Sequence, residues 1–235
     1  MTDNSANNKR IAINTILLYI RMLFTMVISL YTSRVILQVL GADDFGIYNV
    51  VGGVVVLFSF LTNAMTSSTQ RFLNYNFGLK NESKVSHIFN VSILTHFTIF
   101  LLVLLLSETV GLWFVMTQLN IPVGRETATM WVYQMSVVTT LIGIMVIPYR
   151  ASIIAAERMS IFAYVSILEV ALKLVVVLVL SYMSFDNLVM YSILLTLVAM
   201  LNFFIYQIEC RRKLLFTKYN IVWDKNQYKE MMSFS

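Results

Sequence analysis

The strongest constraint on this chain is the succession of apolar stretches that fills it. Six of them run over Ile11–Leu40, Phe45–Ser68, Val85–Ser107, Thr127–Pro148, Ile161–Tyr182 and Leu188–Tyr206. A helix needs roughly 20 mostly apolar residues to cross the hydrocarbon core of a bilayer, and each stretch meets that length. The residues are 58% hydrophobic and only 12% charged, whereas a soluble domain carries about 25% charged residues. That much apolar surface does not fit inside a soluble core of this size, so the bilayer must supply the apolar surroundings. The expected fold class is all-α integral membrane: a six-transmembrane-helix bundle spanning 11–210, preceded by a polar segment, 1–10, and followed by a basic segment, 211–235. The first apolar run is too long for a signal-peptide core and lacks a nearby small-residue cleavage site, so it should stay as a membrane anchor.

The basic residues orient this bundle. With the N-terminus in the cytoplasm, Lys9 and Arg10, then Arg71, Lys80 and Lys84, then Arg150 and Arg158, and finally the cluster from Arg211 to Lys229 all fall inside. Only Arg125 falls on the opposite side. Positive charge gathers on the cytoplasmic side of membrane proteins, so both termini are expected there. The same scattering of short basic clusters between apolar runs excludes nucleic acid as a partner, despite a net charge of +5. Between the first two runs, Gly41 suits a helix C-terminus and Asp43-Asp44 suits the next N-terminus. Tyr149–Ser160 reads as a short interfacial amphipathic helix. Cys210, the sole cysteine, reads as a packing residue. The ending at Tyr228–Ser235 has the look of a lead-in to another element, and a truncated chain is expected.

Ionisable residues inside a span cost several kcal/mol and call for a reason. Arg21 lies ten residues into the first run, about 15 Å along it. Helical spacing places Asn14, Arg21, Thr25, Ser29 and Thr32 on one face, within an arc of roughly 80°. This stripe either lines a hydrated cavity, with Arg21 offered to an anion, or buries a structural arginine among hydroxyls and backbone. Arg34 points away from it, and either snorkels, pairs with Asp43 or Asp44, or meets a ligand. Glu169 and Lys173 have the spacing of a helical ion pair, with ion coupling as the alternative role. His96, central in the third run, is either a hydrogen-bonded interface residue or a proton relay. On the second run Ser59, Asn63, Ser67 and Arg71 recur every four residues, as a second cavity-lining stripe or a polar helix contact. There is no acidic metal motif, Gly-rich phosphate loop or Cys/His metal spacing, so the chain reads as no enzyme and no cofactor is expected.

Two motifs carry a resemblance. Thr32-Ser33-Arg34-Val35-Ile36 followed by Leu40-Gly41-Ala42-Asp43-Asp44-Phe45-Gly46-Ile47-Tyr48, continuing Asn49-Val50-Val51-Gly52-Gly53, resembles the start of Wzx-type polysaccharide and O-antigen flippases. Ile147-Pro148-Tyr149-Arg150-Ala151 through Ala155-Ala156-Glu157-Arg158-Met159 is similar to the fourth-to-fifth helix connector of the same family, in the multidrug/oligosaccharidyl-lipid/polysaccharide superfamily. The resemblance implies one lobe of a two-lobe fold in the bacterial inner membrane, moving an undecaprenyl-diphosphate-linked oligosaccharide for lipopolysaccharide or capsule assembly. It implies basic cavity residues that receive the diphosphate, here Arg21 and Arg34, and as partners the lipid-linked substrate, membrane lipids and other polysaccharide-assembly proteins. Two alternatives stand beside it: a drug/cation antiporter of the superfamily, and a non-transporting membrane scaffold. Arg21 and Arg34, with no acid on the first helix, favour an anionic substrate.

Overall fold

Only a helix satisfies its own backbone hydrogen bonds within a single segment in lipid, and every long element among the described residues is a helix. The computed structural model describes the backbone of residues 2–57, 60–79 and 81–217, and within these the side chains of all but 2–11, 60–65, 82 and 215. The helices are α1 (Thr2–Val56), α2 (Phe60–Gly78), α3 (Glu82–Leu106), α4 (Leu112–Gln118), α5 (Glu126–Ala155), α6 (Met159–Leu180) and α7 (Asn187–Lys213). A π-turn, Ser107–Gly111, joins α3 to α4, and a 3₁₀ turn, Leu215–Thr217, follows α7. Among the described residues, five helical stretches are long and apolar enough to cross a membrane: Ala12–Val56, Ser83–Gln118, Glu126–Ala155, Met159–Leu180 and Asn187–Lys213. The chain is a multi-pass membrane protein.

The first of these holds the first apolar run from Ala12 and the opening half of the second, Phe45 to Val56. At 1.5 Å per residue Ala12–Val56 would stretch about 68 Å, more than twice the ~30 Å hydrocarbon core. It does not run straight, because Gly41 has φ 78° and ψ 173°, a conformation open to glycine and closed to most side chains. Before this corner the helix follows α6: Arg21 lies over the Phe162 ring, and Ile36 packs among Val176, Val177 and Leu180. Beyond it, the helix follows α5, from Asp44 beside Arg125 to Val56 in a cavity shared with Thr139 and Thr140. Helix α6 runs antiparallel to α7, with Glu169 bonded to Asn202. In turn α7 runs parallel to α5, with Thr139 bonded to Thr196 and Cys210 to Tyr149. The two limbs of α1 therefore run in opposite directions.

Helix α5 is the centre of the bundle. Its apolar window is 56% buried, against 28% for each of α6, α7 and the α3–α4 rod. Its inner face joins Val51 and Val55 of α1 to Val103 and Val115 of the rod. Buried Leu73 carries α2 against Ala151 and Ala155.

Four expectations change here. The segment 2–10, polar by composition, is part of α1. The second run, Phe45–Ser68, is not one helix: it is divided between α1, which ends at Val56, and α2, which starts at Phe60 and continues to Gly78 with Thr69 hydrogen-bonded to Ser92 of α3 and Leu73 in the core. The third does not end at Ser107, because the π-turn continues the helix into α4. No separate interfacial helix forms over Tyr149–Ser160: α5 passes through Pro148 to Ala155, with Tyr149 and Ile153 buried. It ends in a Schellman turn, in which Glu157 takes φ 54° and the Glu157 and Arg158 N–H groups donate to the Ile154 and Ile153 carbonyls. Residues 218–235, the larger part of the basic segment, lie outside the described residues, as does Ser59.

Candidate functional site

The polar stripe of α1 faces α6. Asn14, Arg21, Thr25 and Thr32 are partly buried there, while Ser29 is exposed. Thr25 and Thr32 spend their hydroxyls on the Met22 and Ile28 carbonyls. Arg21 alone reaches across the interface. Its guanidinium carbon lies 4.5 Å from the centre of the Phe162 ring, a cation–π contact. Its Nη1 donates to the Ser166 hydroxyl at 3.4 Å. Ser166 gives its own proton to the Phe162 carbonyl, which leaves its oxygen free to accept. Arg21 Nε is buried with no hydrogen-bond partner among the described residues.

The depth of Arg21 follows from its neighbours. Ser166 is seven residues beyond Met159, the first residue of α6, so it lies about 10 Å from that end. Arg21 therefore sits about 10 Å along α6, within the first half of that 22-residue helix.

The nearest acid on α6 does not neutralise it. Glu169 accepts from Lys173 Nζ and from Asn202 Nδ2 of α7, both at 2.6 Å. The helical ion pair is formed, and a third helix is bonded to it. Tyr206 of α7 lies within electrostatic reach of Arg21, Arg150 and Glu169. The α1–α6–α7 seam thus holds a membrane-embedded guanidinium with a ring and hydroxyls around it, while the carboxylate one turn away is already occupied.

The other candidates lie apart from this seam. Arg34 is exposed, with neither an ion pair nor a hydrogen bond among the described residues. It does not pair with Asp44, which is held by Arg125. His96 is fully buried on α3; its Nδ1 lies 2.8 Å from the Ser92 carbonyl, and its Nε2 has no partner among the described residues. Asn63 lies on α2, and its side chain falls outside the described residues.

Two groups were missed by sequence reasoning. Arg125 donates from Nε to Asp44 at 2.9 Å and from Nη1 to Asp186 at 2.5 Å, with a second contact from Nη2 to Asp44. Burial opposes its charge, but the two carboxylates outweigh that and hold its pKa above the ordinary value. Asp186 also caps α7, accepting from the Leu188 and Val189 N–H groups. The second group is Glu108, on the π-turn, which accepts from Gln134 Nε2 at 3.2 Å. Gln134 lies about 12 Å into α5, so Glu108 is a carboxylate packed between two long apolar helical stretches, Ser83–Gln118 and Glu126–Ala155. An uninterrupted apolar count across Ser107-Glu108-Thr109 was the available signal.

Comparison with models of known protein families, with curated proteins and with solved structures found no match to this chain.

Proposed function

We propose that this protein flips an undecaprenyl-diphosphate-linked oligosaccharide across the bacterial inner membrane, with Arg21 meeting the diphosphate. One observation carries this: a guanidinium inside a membrane span, with a buried Nε left over and no carboxylate beside it. A diphosphate needs its water replaced on entering the bilayer, and a guanidinium holds phosphate oxygens two at a time. The depth of Arg21 suits a headgroup entering from the cytoplasmic leaflet. In this arrangement Gly41 is the turn between the first two of six crossings, the N-terminus is cytoplasmic, and the bundle is one lobe of the two-lobe flippase fold that the motifs resemble.

The test is surface glycan display in a flippase-deficient strain with the matching pathway. Arg21→Ala should lower display about tenfold, the loss of about 1.4 kcal/mol of interaction with the substrate. Arg21→Lys should fall between, since it keeps charge and loses the planar fork. Normal display by Arg21→Ala at normal expression would sink the proposal. Sensitivity at Arg34 alone would place the anion site on the other face of α1.

A drug/cation antiporter is favoured by one feature, the membrane-embedded Glu108. It predicts the reverse pattern: Glu108→Gln abolishes transport and Arg21→Ala leaves it intact.

A further inference from the structure

We propose that the open cavity lined by residues 48–56 of α1, α5 and α7 is a binding site for a neutral pyranose ring of a glycan. This deepens the flipping function above and rests on it for the identity of the glycan carrier.

The cavity has a volume of about 340 Å³, within the roughly 300–1,000 Å³ of small-ligand sites. Tyr48, Asn49, Ser136, Thr140 and Ser192 are polar groups in a wall that is otherwise mostly apolar, and no acidic or basic side chain among the described residues lines it. A phosphate would find no cation there.

Two hydroxyls argue against a lipid chain. Inside these helices a Ser or Thr normally donates to the carbonyl one turn back, as Thr129, Ser152 and Thr196 do. Ser136 and Thr140 lie one turn apart on α5, face the cavity, and have no hydrogen-bond partner among the described residues. An alkyl chain would leave both unpaired in the membrane, at a cost of about 1–3 kcal/mol each. Asn49 donates to the Phe45 carbonyl, which leaves its side-chain oxygen available as an acceptor.

The remaining wall suits the other side of a sugar. The Tyr48 ring is held by an edge contact with Tyr191, 4.9 Å between centroids. Beyond the Cα atoms of Gly52 and Gly53 there is open space. A pyranose has a C–H face that lies on an aromatic ring and a rim of hydroxyls that both donate and accept. Tyr48 matches the face, and Ser136, Thr140 and Asn49 match the rim.

The experiment uses Gly53→Cys in the full chain, in nanodiscs. Cys210, the natural cysteine, is buried and unreactive to a polar maleimide. Octyl glucoside, below its micellar concentration, should slow labelling of Gly53→Cys about threefold, which is two-thirds occupancy. Octanol at the same concentration should not slow it. Adding Ser136→Ala and Thr140→Val together should remove the protection and leave the unprotected rate unchanged. Gly52→Cys, with the same open space at its Cβ, carries the test if Gly53→Cys does not fold. Equal protection by octanol would make the cavity an alkyl groove and overturn the proposal. So would no protection by the glucoside, or protection that survives the double substitution. Labelling needs no transport, so loss of the Arg21 effect on display overturns flipping alone, and loss of protection overturns the sugar site alone.

Discussion

Tyr133→Ala is expected to cost about 4 kcal/mol of stability, in the range for deleting a fully buried aromatic side chain. Tyr133 is 0% exposed and packs with Val51, Val103, Val115 and Val137 at the junction of α1, the α3–α4 rod and α5. Its hydroxyl donates to the Ser107 carbonyl at 2.5 Å. That carbonyl also accepts the Leu112 N–H, the long-range bond of the π-turn. Tyr133 is thus both a core side chain and the outside support of the one irregular turn in the rod. Tyr133→Phe separates the two roles by keeping the ring, and should cost about 1–2 kcal/mol. In thermal unfolding of the detergent-solubilised protein, the alanine variant should melt about 10 °C or more below wild type and the phenylalanine variant about 3–5 °C below. Equal losses would assign the whole effect to the hydrogen bond. Losses under ~1 °C for both would mean that Tyr133 does not hold the rod to α5.

The second large effect is expected at Arg125. Removing one partner of a buried ion pair costs about 3–5 kcal/mol, because the other charge is stranded. Here two carboxylates are stranded, but the Arg125 side chain is 28% exposed and Asp186 37%. Solvent reduces the expected cost to about 2–3 kcal/mol, a fall of about 5–10 °C in melting temperature. Arg125→Lys should recover less than half, since one ammonium does not span both acids. Arg158→Ala, at an exposed arginine whose side chain makes no cap, should stay within ~0.5 kcal/mol of wild type. If Arg125→Ala melts with Arg158→Ala, the three-way contact contributes no stability.

Five long apolar helices were legible because the bilayer imposes a length on a crossing, and a run such as Ile161–Tyr182 has no other use, whereas the second run, Phe45–Ser68, is split between α1 and α2. The Glu169–Lys173 pair was legible for a similar reason, since helix geometry alone brings residues four apart together. Pro148 was misleading: proline ends most soluble helices, but buried neighbours and the Ser152 hydroxyl on the Pro148 carbonyl keep α5 going. Ser107-Glu108-Thr109 read as a loop because a carboxylate is costly in lipid, and Gln134, which offsets that cost, is 26 residues away. Arg125 was out of reach for the same reason, with partners 81 and 61 residues distant. The cavity draws its walls from three helices, and no single stretch of sequence announces it. The partners of Arg21 were out of reach in the same way, since Phe162 and Ser166 lie on another helix, 145 residues away in the case of Ser166.

The Gly41 corner makes the length of this region unforgiving. One residue joins two helices that lie against different partners, Arg21 against Ser166 before the corner and Asp44 against Arg125 after it. A single residue inserted after Gly41 would turn the following helix by about 100° relative to its neighbours. Asp44 would leave Arg125, and Val51 and Val55 would leave the core. A longer, flexible connector between ordinary helices absorbs such changes. Natural variants of this protein are therefore expected to carry their insertions and deletions elsewhere, on the 119–124 and 181–185 connectors, and to keep the spacing from Arg21 to Asp44 constant.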